Sequence, residues 1–116
     1  MTFGDYLRQR RVALREGDRR YSVRQVAGRV GIEPSYLSKI ERGEQPPPSE
    51  ETIGKLADDL GEDRDVLLGL AGKVGEDLRT VIIKRPQLFA ELLRQLKDMP
   101  DHAVLRVVRE VRDGKW

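Results

Sequence analysis

Two short apolar stripes on either side of Gly31 constrain this chain most, in the run YSVRQVAGRVGIEPSYLSKIERG, residues 21–43. Val23, Val26, Ala27 and Val30 recur at helical intervals, so one helix carries them on a single face. Ser22 precedes that stripe as an N-cap, its hydroxyl able to accept from a backbone N–H two or three residues on. Gly31 follows it, and glycine enters the left-handed region just past a helix end without a Cβ penalty. Ile32 then tucks an apolar side chain under the turn, while Glu33 and Pro34 supply the cap and first residue of a second helix. Leu37 and Ile40 form the inner face of that helix, and Gly43 stops it.

The flanking segments are helical as well. Thr2 caps a helix over 3–15 with Asp5 near the positive end of its dipole. Phe3, Leu7 and Leu14 are its expected buried side chains, helped by Tyr6 and Val12. Residues 16–20 break the period and read as a loop. Pro46, Pro47 and Pro48 cannot continue a helix and favour extended backbone. Ser49 caps a helix ending near Leu60, with Glu50 and Glu51 in its first turn, Gly61 as its stop and Ile53, Leu56, Ala57 and Leu60 inward. Asp63 caps a shorter helix with Val66, Leu67 and Leu70 inward. Three more follow, over 76–84, 86–97 and 101–112, the second restarted by Pro86 and the third set off by Pro100. No strand alternation is sustained, so the chain is all-α.

Paired apolar-faced helices around a glycine turn are the sequence form of a helix-turn-helix. Ala27, Gly31, Ile32, Ser35, Leu37, Ser38, Ile40, Glu41, Arg42 and Gly43 resemble, at fixed spacing, the signature of the Cro-like (xenobiotic-response-element) helix-turn-helix regulators. The likeness continues through Pro48 and Ser49, Leu56 and Ala57, Leu60 and Gly61, and Leu67 and Leu68, and covers about residues 3–70. It implies a five-helix DNA-binding head over 1–72, with the three proline positions forming a bend inside one domain. Residues 73–116 lie outside it as a C-terminal extension of about three helices.

The resemblance also places a site. Residues 34–42 correspond to the recognition helix, which lies in the major groove with its N-terminal half against base edges. Pro34, Ser35, Ser38 and Lys39 match groove-facing positions, and Tyr36 straddles bases and backbone. Lys39 can donate to guanine O6 and N7, and the two serines can donate or accept. Ser35 equally suits a bland use, satisfying first-turn N–H groups. Phosphates would be met at the head of the preceding helix by Ser22, the N–H groups of Val23 and Arg24, and the side chains of Arg20, Arg24 and Arg42. The chain departs from the family here: Val23 stands where a phosphate-clamping Gln is frequent, Arg42 where Asn is frequent, and Glu44 puts a negative charge beside the DNA face. Glu41 corresponds to a structural position, paired with Arg11 of the first helix.

Charge and composition bound the rest. Residues 1–47 hold ten Lys/Arg against six Asp/Glu, residues 48–72 two against seven, and residues 73–116 ten against seven. The basic first segment suits a phosphate-binding surface, and the acidic middle (Asp58, Asp59, Glu62, Asp63 and Asp65) reads as a solvated face turned from DNA. With no cysteine, no disulfide or thiolate metal site is available. No apolar run reaches membrane-spanning length and the N-terminus lacks a signal-peptide core, so the expected location is cytoplasmic. The lone His102 and the absence of Gly-rich phosphate loops or hydrolase elbows exclude the familiar catalytic constellations, leaving no catalytic residue, metal, cofactor or small-molecule substrate to name. The tail carries more apolar residues than a solvated segment should display, so it either packs back on the head or pairs with a second copy. Self-association is the favoured reading, because a two-fold dimer on a palindromic operator multiplies specificity. The sequence thus reads as a homodimeric, sequence-specific binder of double-stranded DNA and transcriptional repressor. One alternative is an antitoxin-like or phage-defence module whose C-terminal helices hold a partner protein; another is a helical scaffold that has lost DNA binding, for which Val23 and Glu44 are the motivating departures.

Overall fold

The computed structural model describes residues 1–116, and every regular element in it is helical. Thr2 opens α1 (Phe3–Arg15) with a reciprocal cap: its hydroxyl accepts from the Asp5 N–H at 3.1 Å, and the Asp5 carboxylate accepts from the Thr2 N–H at 3.4 Å. Phe3 and Leu7 are buried as expected, and Leu14 is half-buried. Val12, however, faces solvent. The inward stripe of α1 runs through positions 3, 7, 11 and 14, so Arg11 occupies the inner position beside which Val12 falls one step out of phase.

The segment after α1 is more ordered than a plain loop. Asp18 caps a short 3-10 turn over Arg19–Tyr21, accepting from the Arg20 N–H at 2.9 Å. Ser22 then caps α2 (Val23–Val30), its hydroxyl accepting from the Gln25 N–H. Gly31 sits at φ 86°, in the left-handed region that favours glycine. With the chain reversed there, the N–H groups of Gly31 and Ile32 both return to the Ala27 carbonyl, at 2.8 and 3.0 Å. This turn fixes where α3 (Pro34–Glu41) starts. Glu33 holds its N-cap position without a side-chain cap bond, so Pro34 is the stronger start signal.

After the proline bend, Ser49 caps α4 (Glu50–Leu60) and Asp63 caps α5 (Arg64–Leu70). Helix α2 packs on α3 and α4, α1 on α3, and α4 on α5. Phe3, Leu7, Val26, Ala27, Val30, Leu37, Ile40, Ile53, Leu56, Ala57, Leu60, Leu67 and Leu68 form one core cluster. The inner face of α5 differs from expectation: Leu67 and Leu68 are buried, while Val66 and Leu70 are exposed. A seven-residue helix has under two turns, so its apolar residues fix no unique phase and the packing against α4 decides.

Ion pairs link distant parts of this unit. Arg29 makes a two-pronged bond to Asp59 at 2.6 and 3.1 Å, with its guanidinium 5.2 Å from the Tyr21 ring centroid. Glu62 pairs with Arg10 and accepts from the Tyr6 hydroxyl at 3.1 Å. Part of the acidic run therefore ties α4 and the following turn to α1 and α2, which corrects the expectation of a wholly solvated acidic face. Burial, followed by the bond to Glu62, raises the Tyr6 pKa above its ordinary value.

The chain divides into two compact units, Met1–Gly75 and Glu76–Trp116. Lys73 Nζ donates to the Pro48 carbonyl at 2.8 Å, a bond made inside the first unit. The second unit holds α6 (Glu76–Lys84), α7 (Pro86–Leu96) and α8 (Asp101–Asp113), and none of these helices has a buried residue. Leu88 and Leu93 on α7 and Leu105, Val108 and Val111 on α8 stand exposed. No helix is long and apolar enough to cross a membrane.

Candidate nucleic-acid interface

Helix α3 is held from behind and open in front. Leu37 and Ile40 anchor it in the core, and Gly4 lets α1 approach its C-terminal end backbone to backbone. A Cβ on Gly4 would collide with the Ile40 carbonyl oxygen and lie 2.8 Å from that of Glu41. Glu41 fixes the same end through its side chain. Arg11 Nε donates to Glu41 Oε2 at 2.7 Å and Arg11 Nη2 to Oε1 at 2.8 Å, a two-pronged pair. The third donor, Arg11 Nη1, reaches the Tyr21 carbonyl at 3.2 Å, so the pair also fixes the entry to α2. Both charged residues are almost sealed from water, at 5% and 6% exposure. The expected Arg11–Glu41 partnership is thus present as a buried joint of α1, α2 and α3.

The front of α3 carries the expected reading positions. Ser35 and Lys39 are exposed, and Pro34 and Ser38 are half-buried. Tyr36 is also half-buried, its side chain packed against the core cluster, so only part of it faces outward. The first main-chain bond into α3 runs from the Leu37 N–H to the Glu33 carbonyl, and no side chain caps the helix start. The Ser35 and Tyr36 N–H groups therefore point out of the helix end toward any acceptor in front of it.

The expected phosphate-facing group splits in two. Arg24 is exposed in the first turn of α2, beside the Ser22 cap. Val23, the departure from the family pattern, is half-buried and packs against the core. Arg20 and Arg42 are exposed but occupied. Asp18 holds Arg20 through its Nε, 3.0 Å from both carboxylate oxygens, and its Nη2 at 2.7 Å. Glu44 holds Arg42 at 3.1 and 3.0 Å. The bond to Arg20 holds the Asp18 carboxyl well below the usual range, at about 2, and the bond to Arg42 lowers that of Glu44. These two carboxylate clamps were not legible in the sequence, because charge pairing along a helix joins residues three or four apart, whereas these join residues two apart in a turn.

The arrangement is a helix anchored in the core with exposed polar side chains, open N–H groups at its start and exposed arginines in the flanking segments. A model of the helix-turn-helix domain family matches residues 2–68. The chain belongs to the helix-turn-helix domain family. No curated protein and no solved structure matches it significantly. The matched stretch runs from the Thr2 cap to Leu68 and so includes every buried residue of the core cluster. It is a DNA-binding domain of regulatory type.

Proposed function

We propose that the protein is a homodimeric transcriptional repressor that binds a palindromic operator through α3, in the cytoplasm. On this reading residues 1–72 are the DNA-binding domain and residues 73–116 join two copies. Ser35, Ser38 and Lys39 face base edges, Pro34 and the outer part of Tyr36 make apolar contact, and Ser22, Arg20, Arg24 and Arg42 lie along the phosphates. The observation that carries the reading is a family-matched α3 whose Ser35 and Lys39 are exposed while Leu37, Ile40 and Glu41 lock it in place. A rigid scaffold under an exposed polar face is what base readout requires.

The unburied apolar faces of α7 and α8 support the dimer. Three helices without a buried side chain leave their hydrophobic surface in water unless a partner covers it. A second reading draws on the same faces: the tail holds a different protein, and the head regulates its own operon. Gel shifts against upstream duplex DNA test the reader, comparing the wild type with the Ser35→Ala, Lys39→Ala double variant. Light scattering of the purified full chain tests the assembly. Loss of binding in the variant and a mass twice that of the chain support the repressor dimer. A monomer that co-purifies stoichiometrically with another protein supports the second reading.

A further inference from the structure

The arginine pairs of the first unit fall into two kinds. Arg10, Arg11, Arg29 and Arg64 reach carboxylates on other elements: Glu62, Glu41, Asp59 and Glu50. Those pairs tie the fold together. Arg20 and Arg42 instead turn back to a carboxylate only two residues away, in their own turn. Such a pair joins no two elements, and an exposed pair contributes little to stability. Yet both are among the expected phosphate contacts, where an arginine is most useful free.

We propose that Asp18 and Glu44 are attenuators of DNA affinity: positioning residues that hold Arg20 and Arg42 off the phosphate backbone and so set the strength of sequence-independent binding. This rests on the reading of α2 and α3 as the DNA face. Each clamp is two-pronged, so it satisfies the guanidinium fork in the same geometry a phosphate would use. A phosphate can therefore take the Nε–Nη2 edge of Arg20 only by displacing Asp18, and the carboxylate beside the guanidinium repels a phosphate that approaches the remaining Nη1 edge. Arg24 and Lys39 stand exposed, so their contacts are available while those of Arg20 and Arg42 are held back. With two arginines held back, binding leans more on base edges and less on backbone charge, which favours discrimination over raw affinity.

The test measures the full chain on random-sequence duplex across a salt series. Asp18→Asn keeps an N-cap for the Arg19–Tyr21 turn, and Glu44→Gln keeps side-chain length, so unchanged melting temperatures will establish that the fold is intact. Each substitution should tighten binding roughly three- to tenfold at low salt. Each should also steepen the log-affinity against log-salt slope by about 0.9, the increment for one more neutralised phosphate. The tighter binding of Asp18→Asn must vanish in an Arg20→Ala background, and that of Glu44→Gln in Arg42→Ala. An increase that persists without the arginine is a plain effect of net charge and overturns the attenuator role, as does no increase at all. If the wild type binds duplex and the variants match it, only this inference falls; if neither the wild type nor Asp18→Asn nor Glu44→Gln binds duplex at low salt, the DNA-binding reading falls with it.

Discussion

Replacing Glu41 with alanine should unfold the head before it affects any DNA contact specifically. The substitution leaves the Arg11 guanidinium with only the Tyr21 carbonyl as partner, at a site 5% exposed. Removing one member of a buried pair costs about 3–5 kcal/mol, because the remaining charge is neither hydrated nor compensated. Small domains have total stabilities of about 5–15 kcal/mol, so this one residue accounts for a large share. In a unit of this size each kcal/mol moves the melting temperature by roughly 4–8 °C, so a drop on the order of 20 °C is expected. Circular dichroism melts of wild type and Glu41→Ala measure it directly. A companion variant sharpens the reasoning: Arg11→Met with Glu41→Leu removes both charges and should recover most of the loss, since well-packed apolar residues replace buried pairs at little or no net cost. Melting of Glu41→Ala within a few degrees of wild type would refute the reasoning, and so would a double variant as unstable as the single one.

Other substitutions read other parts of the account. Gly4→Ala forces α1 away from the Ile40 and Glu41 carbonyls and should cost about 1–3 kcal/mol by urea denaturation, whereas the control Gly28→Ala, exposed within α2 with open space at its Cβ, should raise stability by about 0.5–1 kcal/mol. Arg24→Ala should lower affinity for every duplex alike and flatten the salt slope by about one unit, whereas Lys39→Ala should relax preference at one base pair per half-site by roughly 1–3 kcal/mol. The Asp18 carboxyl, held at about 2 by Arg20, should show that midpoint by NMR titration and return toward 3.8 in Arg20→Ala. Because its folded pKa is depressed, its pairing favours the folded state above the unfolded value near 3.8 and ceases to as pH falls through 2, so it is fully present at neutral pH. Removing residues 76–116 should leave a folded, monomeric head that binds its operator much more weakly, as sedimentation and gel shifts would show.

How far the sequence could be read follows from how local each signal is. Caps and glycine stops lie within a few residues of what they specify, so α1 at Phe3–Arg15 and α4 at Glu50–Leu60 fall where Thr2, Ser49 and Gly61 place them. The inner faces of α2 and α4 were equally legible, because a full stripe of apolar residues fixes the helix phase. Phase failed where the stripe is interrupted or short: Arg11 fills an inward position of α1 and strands Val12 outside, and α5 is too short to choose between Val66 and Leu68. Arg11 and Glu41 came from the family resemblance, since nothing in charge spacing announces a pair thirty residues apart. The same holds for Arg29 with Asp59, which no sequence signal flagged. At the candidate site, the exposed Ser35 and Lys39 follow from helix phase alone, whereas the clamps on Arg20 and Arg42 and the partial burial of Tyr36 depend on turn geometry and core packing.

Selection of bound sequences from a random duplex pool by the 116-residue chain tests whether α3 reads DNA. A dimer reading DNA through α3 should select a palindromic consensus with half-sites about 10 base pairs apart centre to centre, or a multiple of that, and lose preference at one position per half-site in Lys39→Ala. A pool that shows no enrichment, or a consensus that survives Ser35→Ala with Lys39→Ala unchanged, would contradict it.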